Sequence, residues 1–322
     1  MSFFRFSGEP VPGLSRGGWR GLIGFAVGVA LFAAAVWAIA SNRGEIESAL
    51  RSARAAPWWV VAAVVVLPVI NWLLVGTSFA VLENRYGRVG VGEMLALIGS
   101  AWLLNYLPMK PGMFGRLAYH KHVNGIRYAD SARVLVASVS LTAASIGALL
   151  VIALLVRMSG PVWWGWLWCV PVPVGLGVAA LVLAPRGGWG WRLALAGLLR
   201  YLDTMVWIGR YAAAFAMVGS PLDFQTALFV AAVSQLALLI PVAGNGLGLR
   251  EWGVRAASAL QIGLLADVIN RAAEIAVALP IGLAGTVWAA RRLARHRAGG
   301  TTGDRTRPEQ AISDQQEPES DR

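Results

Sequence analysis

The stretch IPVAGNGLGLRE, residues 240–251, decides how the chain is read. It ends an apolar run that begins near residue 224 and is long enough to enter a bilayer. It then places a proline, three glycines, an asparagine, an arginine and a glutamate where lipid is expected. Proline and glycine break helices, and irregular backbone at membrane depth survives only where protein or a wet cavity satisfies its polar groups. The stretch therefore reads as the tip of a re-entrant hairpin, with one arm from Phe224 to Leu239 and a shorter returning arm that opens with Arg250 and Glu251.

The rest of the chain supports a membrane setting. Of 322 residues, 57% are hydrophobic and 14% charged, outside the usual balance of soluble domains. Apolar runs at 21–40, 57–82, 131–156, 161–184, 191–219 and 262–290 each approach or exceed the roughly 20 residues that cross a bilayer. The expected fold is thus all-α and polytopic, with six full spans. Tryptophans at 58, 59, 163, 164, 189 and 191 sit near predicted span ends, where the indole suits the headgroup zone. The run at 21–40 resembles a signal peptide but exceeds an h-region, and is read as a retained first span.

A second interruption lies at 92–131. Its apolar part, 94–109, is too short to span and ends in Pro108, Lys110, Pro111 and Gly112 before resuming as an amphipathic segment. Aligning Pro108 with Pro241 brings Arg116 and Arg250 to nearly equivalent positions. The hairpins, near 93–125 and 222–259, are separated by three full spans, so they enter from opposite faces. That is the pattern of an inverted-topology repeat. Each returning arm would aim its free N–H groups at the midplane. With Arg116 and Arg250 added, the tips suggest a pocket for an anionic group, a lipid phosphate above all. The candidate binding residues are Lys110, Gly112, Arg116, Gly244, Asn245, Gly246, Gly248, Arg250 and Glu251. On this reading Arg250→Ala would abolish most lipid exchange and leave expression and thermal stability close to the parent.

The segments LPMKPGMFGR, IPVAGNGLGLREWGV and LLADVINRAAEIAVALPIGLAG resemble the two signature regions of the lysylphosphatidylglycerol synthase transmembrane-domain family of flippase-like membrane proteins. The resemblance covers roughly residues 20–292. Asn245 stands where many members have glycine, and the first signature is the looser of the two. What the resemblance implies is a lipid-translocating membrane domain, with Arg271 in the helix after the second signature. In the bifunctional synthases a soluble aminoacyl-transfer domain follows. Residues 293–322 are too short and polar for one and read as a disordered cytoplasmic tail, so lysyl transfer is not expected.

Charges within the spans form a second candidate set: Arg200 and Asp203, with Arg210 nearby, and Asp267, Asn270, Arg271 and Glu274. Such ions face a partner or a cavity. Their i,i+3 and i,i+4 spacings would let each set neutralise itself along one helix, either as interhelical glue or on a transport path.

Other chemistry is thinly represented. The single cysteine, Cys169, excludes an intramolecular disulfide and a cysteine-based zinc site. His120 and His122 have no acidic or cysteine companions in sequence and read as a solvated or headgroup-facing pair, so no metal and no cofactor is expected. No Walker loop or Gly-x-Ser-x-Gly elbow is present. The net charge of +11 follows the positive-inside bias of the loops rather than a nucleic-acid stripe. That bias puts the 1–19 tail and the C-terminus in the cytoplasm and the protein in the cytoplasmic membrane, although Arg43, Arg51 and Arg54 run against it. The leading expectation is a translocase or scramblase-like protein for an anionic phospholipid or polyprenyl-phosphate-linked lipid. Two other classes remain open: a membrane-embedded transferase using a lipid-linked sugar, which Glu45 and Glu47 faintly suggest, and a non-transporting scaffold. The expected partner is membrane lipid, with homo-oligomers or cell-envelope enzymes as further possibilities.

Overall fold

The computed structural model describes residues 47, 51–105, 111–158, 165–239, 249–258 and 262–303, and all regular structure among them is helical. The helices are α1 (Trp58–Glu83), α2 (Val91–Leu104), α3 (Pro111–Asn124), α4 (Tyr128–Met158), α5 (Pro171–Leu183, flanked by 3-10 turns), α6 (Gly190–Met217), α7 (Phe224–Leu239), α8 (Leu249–Ser258) and α9 (Gly263–Gly303).

Among the described residues, four segments are long and apolar enough to cross a membrane: Trp58–Glu83, Tyr128–Met158, Gly165–Arg186 and Gly263–His296. They match the predicted spans at 57–82, 131–156, 161–184 and 262–290. The 191–219 span is present in length as α6, but Arg192, Arg200, Asp203 and Arg210 make it more polar than those four, and it buries the last three inside the bundle. The predicted first span at 21–40, the 1–19 tail and the end of the C-terminal tail lie outside the described residues. α9 continues to Gly303, past the tail boundary drawn at residue 292.

Both interrupted segments form pairs of short helices. At 1.5 Å per residue, α2 and α3 reach about 21 Å each, α7 about 24 Å and α8 about 15 Å, all short of a hydrocarbon core of about 30 Å. The two arms of each pair pack on one another. Gly112 makes the first contact possible, since a Cβ there would stand 2.5 Å from Ala101 Cα. At the mouth of the second, Asp223 caps α7, accepting from the Thr226 N–H at 2.9 Å.

Contacts between helices recur in pairs. α1 packs along α6; α2 lies against α9 as α7 lies against α4; α1 touches α2 as α6 touches α7; α6 touches α4 as α1 touches α9. The α2–α9 seam is built on small residues. A Cβ on Gly282 would meet Leu103 Cβ at 2.6 Å, and one on Gly285 would collide with the Ala96 carbonyl. Backbones that close gain dispersion contacts, which take over in lipid where no hydrophobic force holds helices together.

Gly285→Val should therefore lower the thermal midpoint of the detergent-purified protein, at or above the about 1–3 kcal/mol typical of overpacking. Gly147→Ala is the control, because nothing lies within 4 Å of its Cβ position. Equal midpoints for the two variants would contradict the seam.

Candidate functional site

α6 carries the charges that α1, α8 and α9 close over. Its Arg210 donates from Nη2 to Glu274 Oε2 at 2.9 Å, from Nε to Asn270 Oδ1 at 3.0 Å and from Nη1 to Asn71 Oδ1 at 3.1 Å. Three helices thus meet on one planar guanidinium, whose fixed fork suits simultaneous acceptors. Asn71 in turn donates to Asp203 Oδ1 at 2.6 Å, and Asp203 lies 3.9 Å from Arg200.

Arg250, at the start of α8, is fully buried, with 0% of its surface exposed. It donates from Nε to Asp267 Oδ1 at 2.9 Å and from Nη1 to Glu274 Oε2 at 3.1 Å. Tyr211 donates its hydroxyl to the same Asp267 oxygen at 2.7 Å. Glu251 takes the remaining cation: Arg271 Nη2 is 2.9 Å from Glu251 Oε1, an ion pair in contact rather than an aligned hydrogen bond. Arg200, Arg210, Arg250 and Arg271 therefore face Asp203, Glu251, Asp267 and Glu274, so the layer is charge-balanced.

These pairings correct part of the sequence reading. Arg200 and Asp203 do pair along one helix. Asp267 and Glu274, by contrast, take Arg250 and Arg210 from other helices, and Arg271 takes Glu251. The geometric reason is that α9 turns its polar face toward α6 and α8, where a cross-helix partner reaches the carboxylates in the bundle interior. Arg250 also differs from the expectation of a cation waiting for phosphate, because two of its three nitrogens are committed to carboxylates.

The first hairpin is built differently. Arg116 is 5% exposed and stacks 3.8 Å from the Phe79 ring centroid, with Arg200 at 4.9 Å from the same ring. Trp207 plays the same part in the second half, with Arg210 at 3.8 Å and Arg250 at 5.2 Å. Yet among the described residues no carboxylate lies within ion-pair distance of Arg116, and its Nε has no hydrogen-bond partner. Where α9 offers Asp267, Asn270 and Glu274, α4 offers the buried serines Ser131, Ser138 and Ser145. The nearby carboxylate is Glu83, which accepts from Ser131.

Gly112 and Glu251 are thus buried structural contacts, while Lys110, Gly244, Asn245, Gly246 and Gly248 lie outside the described residues. His120 is a correction: expected on a solvated segment, it is 0% exposed, because the i, i+4 spacing from Arg116 turns both inward on α3. Asn71, Glu83 and Tyr211 were not singled out from sequence. Asn71 had a usable signal, a lone amide inside the apolar run 58–82; Glu83 and Tyr211 had none beyond proximity to a span end and to Arg210. Among the described residues no cluster of His, Cys, Asp and Glu has the makings of a metal site.

A scan against protein-family models and searches of curated proteins and of solved structures return no match.

Removing one member of a buried ion pair strands the other, at a cost of about 3–5 kcal/mol. Arg250→Ala should accordingly fold poorly or melt well below the parent, contrary to the sequence expectation. Arg250→Met combined with Asp267→Asn should recover part of the loss, since Glu274 keeps Arg210. A thermal melt in which Arg250→Ala matches the parent would remove Arg250 from the structural core.

Proposed function

We propose that the protein is a lipid translocase of the cytoplasmic membrane, moving a phospholipid or polyprenyl-linked lipid with an anionic phosphate between leaflets. One observation carries this reading. A file of polar side chains, bridged at one point by an aromatic ring, joins the two hairpins through the bundle: Arg116 and Arg200 both lie against the Phe79 ring, Arg200 leads to Asp203, Asp203 to Asn71, Asn71 to Arg210, and Arg210 through Glu274 to Arg250. The outer faces, in contrast, expose apolar side chains such as Val66, Val151, Leu181 and Leu283. Ionisable groups are expensive at membrane depth and mark paths for polar cargo when they form such a file.

The paired helix contacts support an inverted repeat with six spans and two re-entrant hairpins. α1 and α6 would be its counterparts, running in opposite directions because two crossings, α4 and α5, lie between them. In that arrangement hairpin one opens to the cytoplasm, beside Arg85, Arg88 and Lys121, and both termini are cytoplasmic. The two halves have diverged: Arg250 is tied down by carboxylates, whereas Arg116 keeps a donor for the phosphate.

Purified protein in liposomes carrying fluorescent lipids tests the function. Accelerated leaflet exchange of an anionic phospholipid over a cationic one is the expected result. Absence of exchange, with a product formed only when a lipid-linked sugar is supplied, would instead favour a transferase. For topology, cysteines placed at His122 and Ser220 in a Cys169→Ser background should label from the cytoplasm and from outside, respectively. Labelling of both from one face would contradict the inverted repeat.

A further inference from the structure

Two buried polar atoms on the returning arm of the first hairpin, Arg116 Nε and His120 Nε2, and a third at the end of α1, Glu83 Oε2, have no hydrogen-bond partner among the described residues. They belong to one neighbourhood, since Glu83 acts electrostatically on both Arg116 and His120, and Arg116 acts on His120. Buried polar atoms are nearly always paired, so three orphans together point to something the site is built to receive.

The surrounding hydrogen bonds fix what His120 can offer. Asn124 Nδ2 donates to Glu93 Oε1 at 3.0 Å and faces the Arg88 carbonyl at 3.5 Å, both pure acceptors. The amide orientation is therefore set, and Asn124 Oδ1 is the atom 3.1 Å from His120 Nδ1. Nδ1 must carry the proton and donate. In the neutral ring Nε2 is then a bare acceptor, buried beside a second bare acceptor, Glu83 Oε2, and one donor, Arg116 Nε.

Charge gives the complement. Arg116 and Glu83 cancel, and Glu93, which also acts on His120, is matched by Arg292 across Tyr119, so an arriving phosphate diester leaves the neighbourhood one negative charge in excess, which a buried site tolerates poorly. One proton on His120 Nε2 restores neutrality and turns the bare acceptor into a donor. We infer that this cluster, on the translocase reading above, binds an anionic phosphate group together with one proton, held on His120 Nε2, while Arg116 Nε donates to a phosphate oxygen. Lipid movement is thereby linked to proton movement, and the proton comes from solvent because a diester brings none. The other charged groups acting on this cluster are Glu93 on α2, Arg200, tied to Asp203, and Arg292 near Tyr119; Asp130 is tied to Arg127 and Arg133 by ion pairs, and Lys121 and His122 lie exposed on α3 itself. Of these, none offers a bare buried imidazole acceptor as Nε2 does, and burial lowers the His120 pKa, so the ring waits neutral until an anion arrives.

Isothermal titration of the full chain in detergent, repeated at neutral pH in buffers of different ionisation enthalpy, counts the protons. The probes are dihexanoyl phosphatidylglycerol and dimethyl phosphate, diesters that do not themselves titrate there. Uptake of about one proton per bound anion is expected by linkage. A site for lipid headgroups takes the first probe alone; a site for free phosphates takes both. His120→Gln should bind at least about tenfold more weakly, as loss of a charged hydrogen bond predicts, and without proton uptake. His122→Gln should match the parent. Binding without proton uptake, uptake unchanged in His120→Gln, or no binding of either probe overturns the inference. Exchange in liposomes without proton linkage leaves translocation standing and removes only this site's role; proton-linked binding without exchange does the reverse.

Discussion

Glu274 Oε2 accepts from Arg210 at 2.9 Å and from Arg250 at 3.1 Å, and neither guanidinium meets solvent. A carboxylate so placed is shared by α6, α8 and α9, and everything else in the bundle is arranged around keeping it satisfied. Taking such charges out of water costs several kcal/mol per ion, and their attraction offsets this only when the geometry is good and the remaining polar atoms are bonded. Asn71, Asn270 and Tyr211 supply part of those bonds, while Arg250 Nη2 and Asp267 Oδ2 have no hydrogen-bond partner among the described residues. The second hairpin's short arm α8, about 15 Å long, could not hold its place by apolar burial alone. Arg250 anchors it.

That anchoring explains why two arginines at matching positions need not share a task. Each pair of short helices carries an inward arginine against an aromatic ring, Arg116 on Phe79 and Arg250 on Trp207. α9 then meets Arg250 with carboxylates, while α4 meets the first half with serines. A serine can donate to Glu83 but brings no charge to Arg116. The same scaffold thus yields a closed ionic joint on one side and an open polar cluster on the other.

The helical architecture was legible in the sequence because length and apolarity are local properties. The spans at 57–82, 131–156, 161–184 and 262–290 emerge nearly as drawn, and Pro111 and Arg250 fall at the starts of short arms. The partner of each charge was not legible. Spacing along α9 made Asp267, Arg271 and Glu274 look self-sufficient, but which helix crosses that face is a tertiary fact. His120 was misplaced for a related reason. A histidine flanked by Lys121 and His122 looks solvated until the i, i+4 relation to Arg116 is given a neighbour to face. Glu83, at a span end, carried no sequence signal of burial.

The central claim is that the hairpin arginines have separate roles, Arg116 in cargo binding and Arg250 in architecture. The direct measurement is the leaflet-exchange rate per folded molecule for Arg116→Lys and Arg250→Lys, each scored for thermal midpoint in the same preparation. An ammonium keeps the charge and loses the fork. The account predicts that Arg116→Lys melts near the parent and exchanges lipid slowly, and that Arg250→Lys melts early while its folded fraction exchanges at close to the parental rate. The reverse pattern, a stable but inactive Arg250→Lys beside a fully active Arg116→Lys, would contradict it.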